Sequence, residues 1–271
     1  MIDFYWLYDL PTWKMGVVMV VMTVMISLLG LRMGYRFIQN KFRLSSDTNE
    51  VVNGFFSGAG VFYGLLLGLV AVATWENFVA VDGLVSREAT QVASLYRDIS
   101  SLPEPAKGIL QHHLKDYLTY VVDVAWPGHS KGEIPAGGTL ILTHFQKVLA
   151  GFHPASVEQQ TVQAEALRAF NVLVEARRGR MNAVNSGLPA VLWIVVLIGA
   201  CISIVLTYFF HVSDRRLHYL LTGLVASMLG VMIFLIAAID HPFRGGEGVT
   251  SEVYRNVLGG LKHLDPDQVV P

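Results

Sequence analysis

Four long stretches of this chain carry no Asp, Glu, Lys or Arg, and each approaches or exceeds the length that crosses a bilayer. Met15–Leu31 runs 17 residues between Lys14 and Arg32. Val51–Trp75 lies between Glu50 and Glu76, and Leu217–Ile239 between Arg216 and Asp240. Leu188–Phe210 follows a turn at Ser186-Gly187-Leu188-Pro189, with proline in the first helical turn. A hydrocarbon core about 30 Å thick takes ~20 apolar residues as helix. Lipid offers no partners to the backbone, so such segments must satisfy their hydrogen bonds internally. The expected fold class is therefore an all-α membrane protein, with four transmembrane helices and a helical soluble insertion between helices 2 and 3.

The charge that the windows lack is concentrated elsewhere. Charged residues make up 15% of the 271, against about 25% in soluble domains. Residues 76–187 hold 10 Lys and Arg and 11 Asp and Glu, so half of the charge lies in one insertion. The expected organisation is an N-terminal hairpin over 1–75 (helices about 14–31 and 52–75), a helical extramembrane domain over 76–187, a C-terminal hairpin over 188–243 (helices about 188–210 and 217–239) and a tail over 244–271. Net charge is −1. That leaves no basic excess for nucleic acid. The lone Cys201 rules out an internal disulfide and a zinc site built on cysteine pairs. The acidic, aromatic N-terminus lacks the basic region of a signal peptide, so the first window reads as a retained helix. Tyr5, Trp6, Tyr8 and Trp13 fit an interfacial aromatic belt.

No proline and one glycine interrupt Glu76–Ser101, and Val81, Leu84, Val85, Glu88, Val92, Leu95 and Ile99 recur at helical spacing. Helix 2 is thus predicted to continue past the membrane until Pro103 and Pro105. A second helix is expected near Glu104–Ala125, ended by Trp126-Pro127-Gly128. A loop over His129–Gly138, a short helix over Thr139–Ala150 and a long helix from Pro154–Ser156 follow. Arg32–Asn53 reads as the first connection and His211–Arg216 as a tight hairpin. Six basic residues flank the membrane windows at these two connections and seven flank them on the other side; the denser charge of the short connections leans only weakly toward both termini and the large segment lying outside.

Enzyme signatures fail. Gly58-Ala59-Gly60-Val61-Phe62-Tyr63-Gly64 misses the spacing of a phosphate loop and lies inside a membrane window. His112 and His113 are adjacent, so on a helix they point about 100° apart and cannot readily share a metal. No catalytic residue, cofactor or metal site is expected. Gly60, Gly64 and Gly68 form a tandem stripe that permits close approach of a helix from the same or another subunit, or lines a pore. Phe55, Phe62, Leu66 and Leu69 would form a hydrophobic constriction if helix 2 faced a pore, and ordinary lipid or interhelical contacts if it did not. Glu76 would make a carboxylate ring at a pore mouth in a symmetric oligomer, or a simple interfacial charge. Asp240 opposes the dipole of the helix it ends and so calls for a partner, either a neighbouring hydrogen-bonding group or a basic residue, with Arg87, Arg97 and Arg178 as candidates.

These motifs resemble the bestrophin-like domain family, four-helix bacterial membrane proteins of unknown function. The residues that carry the likeness are Gly64-Leu-Leu-Leu-Gly68, Trp75-Glu76, Glu88-Ala89, Leu95-Tyr96-Arg97, Leu102-Pro103, Tyr117, Trp126-Pro127, Gly187-Leu188-Pro189, Arg215-Arg216-Leu217-His218 and Asp240-His241-Pro242-Phe243. They span about residues 50–260. Ala125 departs from the acidic residue expected before Trp-Pro. The resemblance implies bestrophin architecture: a pentamer, an ion pore lined by the second helix, and the helical domain in the cytoplasm below an inner (plasma) membrane. The partners so implied are the bilayer, further copies of the chain and ions. The alternative is a non-catalytic scaffold or sensor whose helical domain binds a partner or ligand.

Overall fold

A computed structural model describes residues 8–42 and 44–263, and every regular element in them is helical. Tyr5, Trp6 and Arg43 lie outside the described residues. In chain order the helices are α1 (Thr12–Phe42), α2 (Thr48–Asp98), α3 (Ala106–Tyr120), α4 (Trp126–His129), α5 (Gly137–Gly151), α6 (Val157–Ala183), α7 (Ala190–Tyr208), α8 (Arg215–Asp240) and α9 (Glu252–His263). Four of them, α1, α2, α7 and α8, are long and apolar enough to cross a membrane. The chain divides into two compact units. One holds α1, α2 up to Asn77, α7 and α8; the other holds α2 from Phe78, α3 to α6, His241–Arg244 and α9.

In the membrane unit, α1 packs along α8 and both meet α7. Glycines make this close approach possible. A methyl group added at Gly16 would press on Phe234, and one at Gly230 would lie 3.0 Å from the Val20 backbone. Helix α2 joins through larger side chains: Tyr63, Leu67 and Val70 pack with Val196, Ala200, Leu229, Ile233 and Ile236. Two tyrosines pin the helices by donating to helical carbonyls, Tyr63 to Val196 at 2.6 Å and Tyr208 to Ser27 at 2.7 Å.

The first connection is far shorter than the sequence suggests. Helix α1 runs on to Phe42, since nothing from Arg32 to Phe42 breaks it but Gly34, and α2 begins at Thr48. Arg32, Arg36 and Lys41 therefore stand on a helix rather than in a loop. Thr48 Oγ1 accepts the Ser45 amide at 3.0 Å and tightens the remaining turn.

The helical unit has its own core. Val85, Ala89, Val92 and Leu95 of α2 meet Leu110, Leu114 and Leu118 of α3, Leu142 and Phe145 of α5, and Phe170 and Leu173 of α6. Phe145 stacks on Phe170 at 5.3 Å. Ser156 caps α6 by accepting the Gln159 amide. Trp126-Pro127-Gly128 does not end the preceding helix, contrary to expectation. The chain widens into a π turn over Val121–Ala125 and makes one more turn, α4. Pro127 brings no N–H and its ring would crowd the carbonyl four residues back, and the wide turn accommodates both. Gly128 then lies against Pro135, where a Cβ would come within 2.8 Å. The segment read as a tail contributes α9, whose Tyr254 and Leu261 are buried in the same core.

Candidate functional site

The membrane stretch of α2 buries a narrow stripe and leaves the rest uncovered by the described residues. Val52, Tyr63, Leu67, Val70 and Thr74 are buried. Phe55 is 71% exposed, Phe62 78% and Leu69 64%. Among the described residues, a Cβ built at Gly54, Gly58, Gly60, Gly64 or Gly68 meets nothing within 4 Å. Among the described residues, the tandem glycines therefore seat no helix of the same protomer. The other membrane glycines differ: Gly16, Gly30, Gly199 and Gly230 each abut a named neighbour, Gly199 the ring of Tyr63. At about 100° per residue, Phe62 and Gly64 point roughly 160° apart, so the open surface has a bulky side and a smooth side. Phe55, Phe62, Leu69 and Glu76 recur every seven residues and share the bulky side. Glu76 is exposed. Leu66 takes the interhelical alternative: it is partly buried against the core of the membrane unit and does not belong to the open side.

Asp240 serves a helix start. Its Oδ1 accepts the Leu188 amide at 2.6 Å and its Oδ2 the Trp193 indole at 3.0 Å, so a carboxylate stands at the positive end of α7. The rest of the motif belongs to the helical unit. His241 Nδ1 lies 3.2 Å from the Ser186 carbonyl, the Pro242 carbonyl accepts the Val249 amide at 2.7 Å, and Phe243 is buried edge-on to Trp126 and His129.

Beside Phe243 lies a charge network that sequence reasoning did not assemble. Glu88 of α2 is fully buried and Arg180 of α6 is 2% exposed. Glu88 accepts Arg180 Nε at 2.6 Å and Nη2 at 3.1 Å, one bond to each carboxylate oxygen. Tyr117 of α3 donates its hydroxyl to Glu88 Oε1 at 2.5 Å. Arg180 Nη1 meets His129 Nε2. Arginine can only donate, so Nε2 accepts and the ring proton sits on Nδ1, which donates to the Glu133 carbonyl at 3.0 Å. Tyr254 of α9 places its ring 5.9 Å from the guanidinium. One ion pair thus binds five helices of this unit.

The electrostatics hold Arg180 charged and His129 neutral. Burial works against the Arg180 charge, but the Glu88 carboxylate with Tyr254 and Tyr117 together outweighs it, and the guanidinium is held more firmly protonated than usual. Burial, then the Glu88 charge, pushes Tyr117 and Tyr254 well above the ordinary phenol range. Burial brings His129 down to about 4, with Arg180 adding to the effect and the Glu133 carbonyl opposing it. Such an arrangement suits a lock, since the carboxylate accepts from both Arg180 and Tyr117 and the imidazole is held between Arg180 and the Glu133 carbonyl. Among the described residues, no group of His, Cys, Asp and Glu could hold a metal ion. The sequence signal for the lock was Glu88 itself, a carboxylate on an otherwise apolar stripe. Arg180, His129 and Tyr254 gave no comparable signal. Ala125, where an acidic residue was expected, is itself buried at 3% exposure.

Solved structures share the fold. A variant of a bacterial bestrophin homologue from Klebsiella pneumoniae matches with a TM-score of 0.67 at 12% identity, over 92% of this chain and 98% of that one. A further structure of a bacterial bestrophin homologue from that organism matches at 0.66 and 13% identity, over 92% and 97%. A variant of a membrane protein matches at 0.68 and 13%, over 90% and 96%. No curated protein matches the chain. The sequence model of the bestrophin-like domain matches residues 21–254. With its four apolar helices, its helical insertion and a family match over most of its length, this integral membrane protein belongs to the bestrophin-like domain family.

Proposed function

We propose that the protein is a non-catalytic, homo-oligomeric ion pore of the inner membrane, lined by α2, with its helical unit in the cytoplasm. The observation that carries this reading is the open surface of α2. Among the described residues, a Cβ at its glycines meets nothing within 4 Å, while the glycines of α1, α7 and α8 are all closed against neighbours except Gly34 and Gly223, which have only loose contacts. A smooth glycine side permits the backbone of an adjacent subunit to come close. The bulky side, Phe55, Phe62 and Leu69, would then face the axis as rings that admit or exclude water, with Glu76 gathering cations at the mouth. The likeness to bestrophin homologues supports this arrangement as analogy.

The test is reconstitution of the full chain in planar bilayers, alongside its mass in nanodiscs. Conductance is expected, with Phe62→Ala raising it and Glu76→Gln shifting permeability toward anions. A monomer, or currents indifferent to both substitutions, would remove α2 as the lining helix. A silent protein that retains a soluble partner would select the scaffold reading. Protease cleavage at the Lys131 loop in inside-out vesicles alone would support the cytoplasmic placement.

A further inference from the structure

Within the membrane unit, the end of α1 and the start of α8 enclose a cleft of about 500 Å³, lined by Arg32, Arg36, Arg215, Tyr35, His218 and Tyr219 among others. Among the described residues, no carboxylate lines it. The nearby Asp214 is engaged as the cap of α8, its Oδ1 accepting the Arg216 amide at 2.8 Å. His218 is buried, its Nε2 2.9 Å from the Thr207 carbonyl, and Tyr35 packs edge-on to it at 5.2 Å, so the back of the cleft is fixed.

This concentration of charge works against the fold in two ways. Arg32 and Arg36 stand four residues apart on one helix face, where like charges repel. Arg215 occupies the first turn of α8, the positive end of its dipole, which favours anions and not cations. A bound anion would answer both. The cleft also adjoins the apolar windows: Arg32 directly follows Leu31, and Arg215 precedes Leu217 by two residues. Ile26, Leu29, Leu220 and Leu221 are exposed apolar side chains on the same two helices.

We propose that this cleft binds a phosphate-bearing anion, and that its source is the headgroup of an anionic phospholipid. The arginines bind the phosphodiester, the tyrosine hydroxyls are further donors, and the acyl chains lie along the exposed apolar faces of α1 and α8. The site is independent of whether α2 lines a pore.

The experiment is native mass spectrometry of the full-length protein, released from mixed phosphatidylglycerol and phosphatidylcholine nanodiscs. Selective retention of phosphatidylglycerol is expected. Each of Arg32→Gln, Arg36→Gln and Arg215→Gln should weaken it about fivefold, and the triple variant should abolish it. The matching lysine variants should keep part of the selectivity, which separates lost charge from lost fold. Arg168→Gln, on the helical unit, should change nothing. Retention equal for both lipids, or unchanged in the triple variant, would overturn the site. Stabilisation by millimolar inorganic phosphate without selective lipid retention would overturn the lipid as its source.

Discussion

Between Val51 and Trp75, α2 buries Val52, Tyr63, Leu67 and Val70 and leaves Phe55, Phe62 and Leu69 bare. Between Phe78 and Asp98, the same helix at the same periodicity buries Val81, Val85, Ala89, Val92 and Leu95 and exposes Asp82, Arg87, Thr90 and Arg97. The first stretch exposes apolar bulk because lipid, or another subunit, can cover it at little cost. The second cannot, because its open side meets water. The second also buries what the first does not, a carboxylate with its arginine. Continuity of a helix therefore says little about how its faces are used. Composition around the circumference, read stretch by stretch, says much more.

The largest way to break that contrast is to unpair the lock. Arg180→Leu leaves Glu88 buried and uncompensated and should cost about 3–5 kcal/mol, seen in denaturant unfolding of the full chain in detergent. The double change Glu88→Leu with Arg180→Leu should recover much of the loss. A double variant as unstable as the single one would show that the pair does more than satisfy itself.

Tyr117→Phe removes one donor to the Glu88 carboxylate and should cost about 1.5–3 kcal/mol. Wild-type stability in that variant would mean that the arginine alone satisfies the carboxylate.

Two glycines sharpen the membrane half of the contrast. Gly199→Ala drives a methyl into the Tyr63 ring, which its bond to the Val196 carbonyl holds in place, and should cost about 1–3 kcal/mol in the protomer. Gly64→Ala meets open space and should leave the protomer as stable or up to about 1 kcal/mol firmer. It should instead alter subunit association or conductance. Equal effects of the two changes on protomer stability would dissolve the distinction between closed and open glycines.

The smallest effect at neutral pH is that of His129. Its folded-state pKa is about 4 against an ordinary 6.5, so the unfolded chain binds the extra proton first. Stability from this group is complete above about pH 6.5 and is lost as pH falls toward 4. His129→Gln should flatten the decline over that window. An identical pH profile in wild type and variant would mean that the ring is not held neutral.

Much of the fold was legible because two physical rules act locally. A charge-free run of bilayer length must be a helix, and apolar spacing with a proline stop places α2 and its end. The local errors have local reasons. Proline at 127 was read as a stop, but a π turn absorbs it. The span from Arg32 to Asn53 was read as a connection because it is polar, yet only 43–47 separates the two helices. The lock was legible only through Glu88, since its partners come from α3, α4, α6 and α9, far apart in sequence.

The sequence by itself determined the solvent of each segment, because the transfer of charged or apolar groups between water and lipid depends on the residues alone. It also determined the long reach of α2 and, through its motifs, the family. Only the tertiary structure decided which glycines are closed and which are open, that Leu66 faces inward, and that Asp240 caps α7. It alone paired Glu88 with Arg180 and gathered Arg32, Arg36 and Arg215 around one cleft. Those facts depend on which helix lies beside which, and that is set by packing between residues distant in the chain.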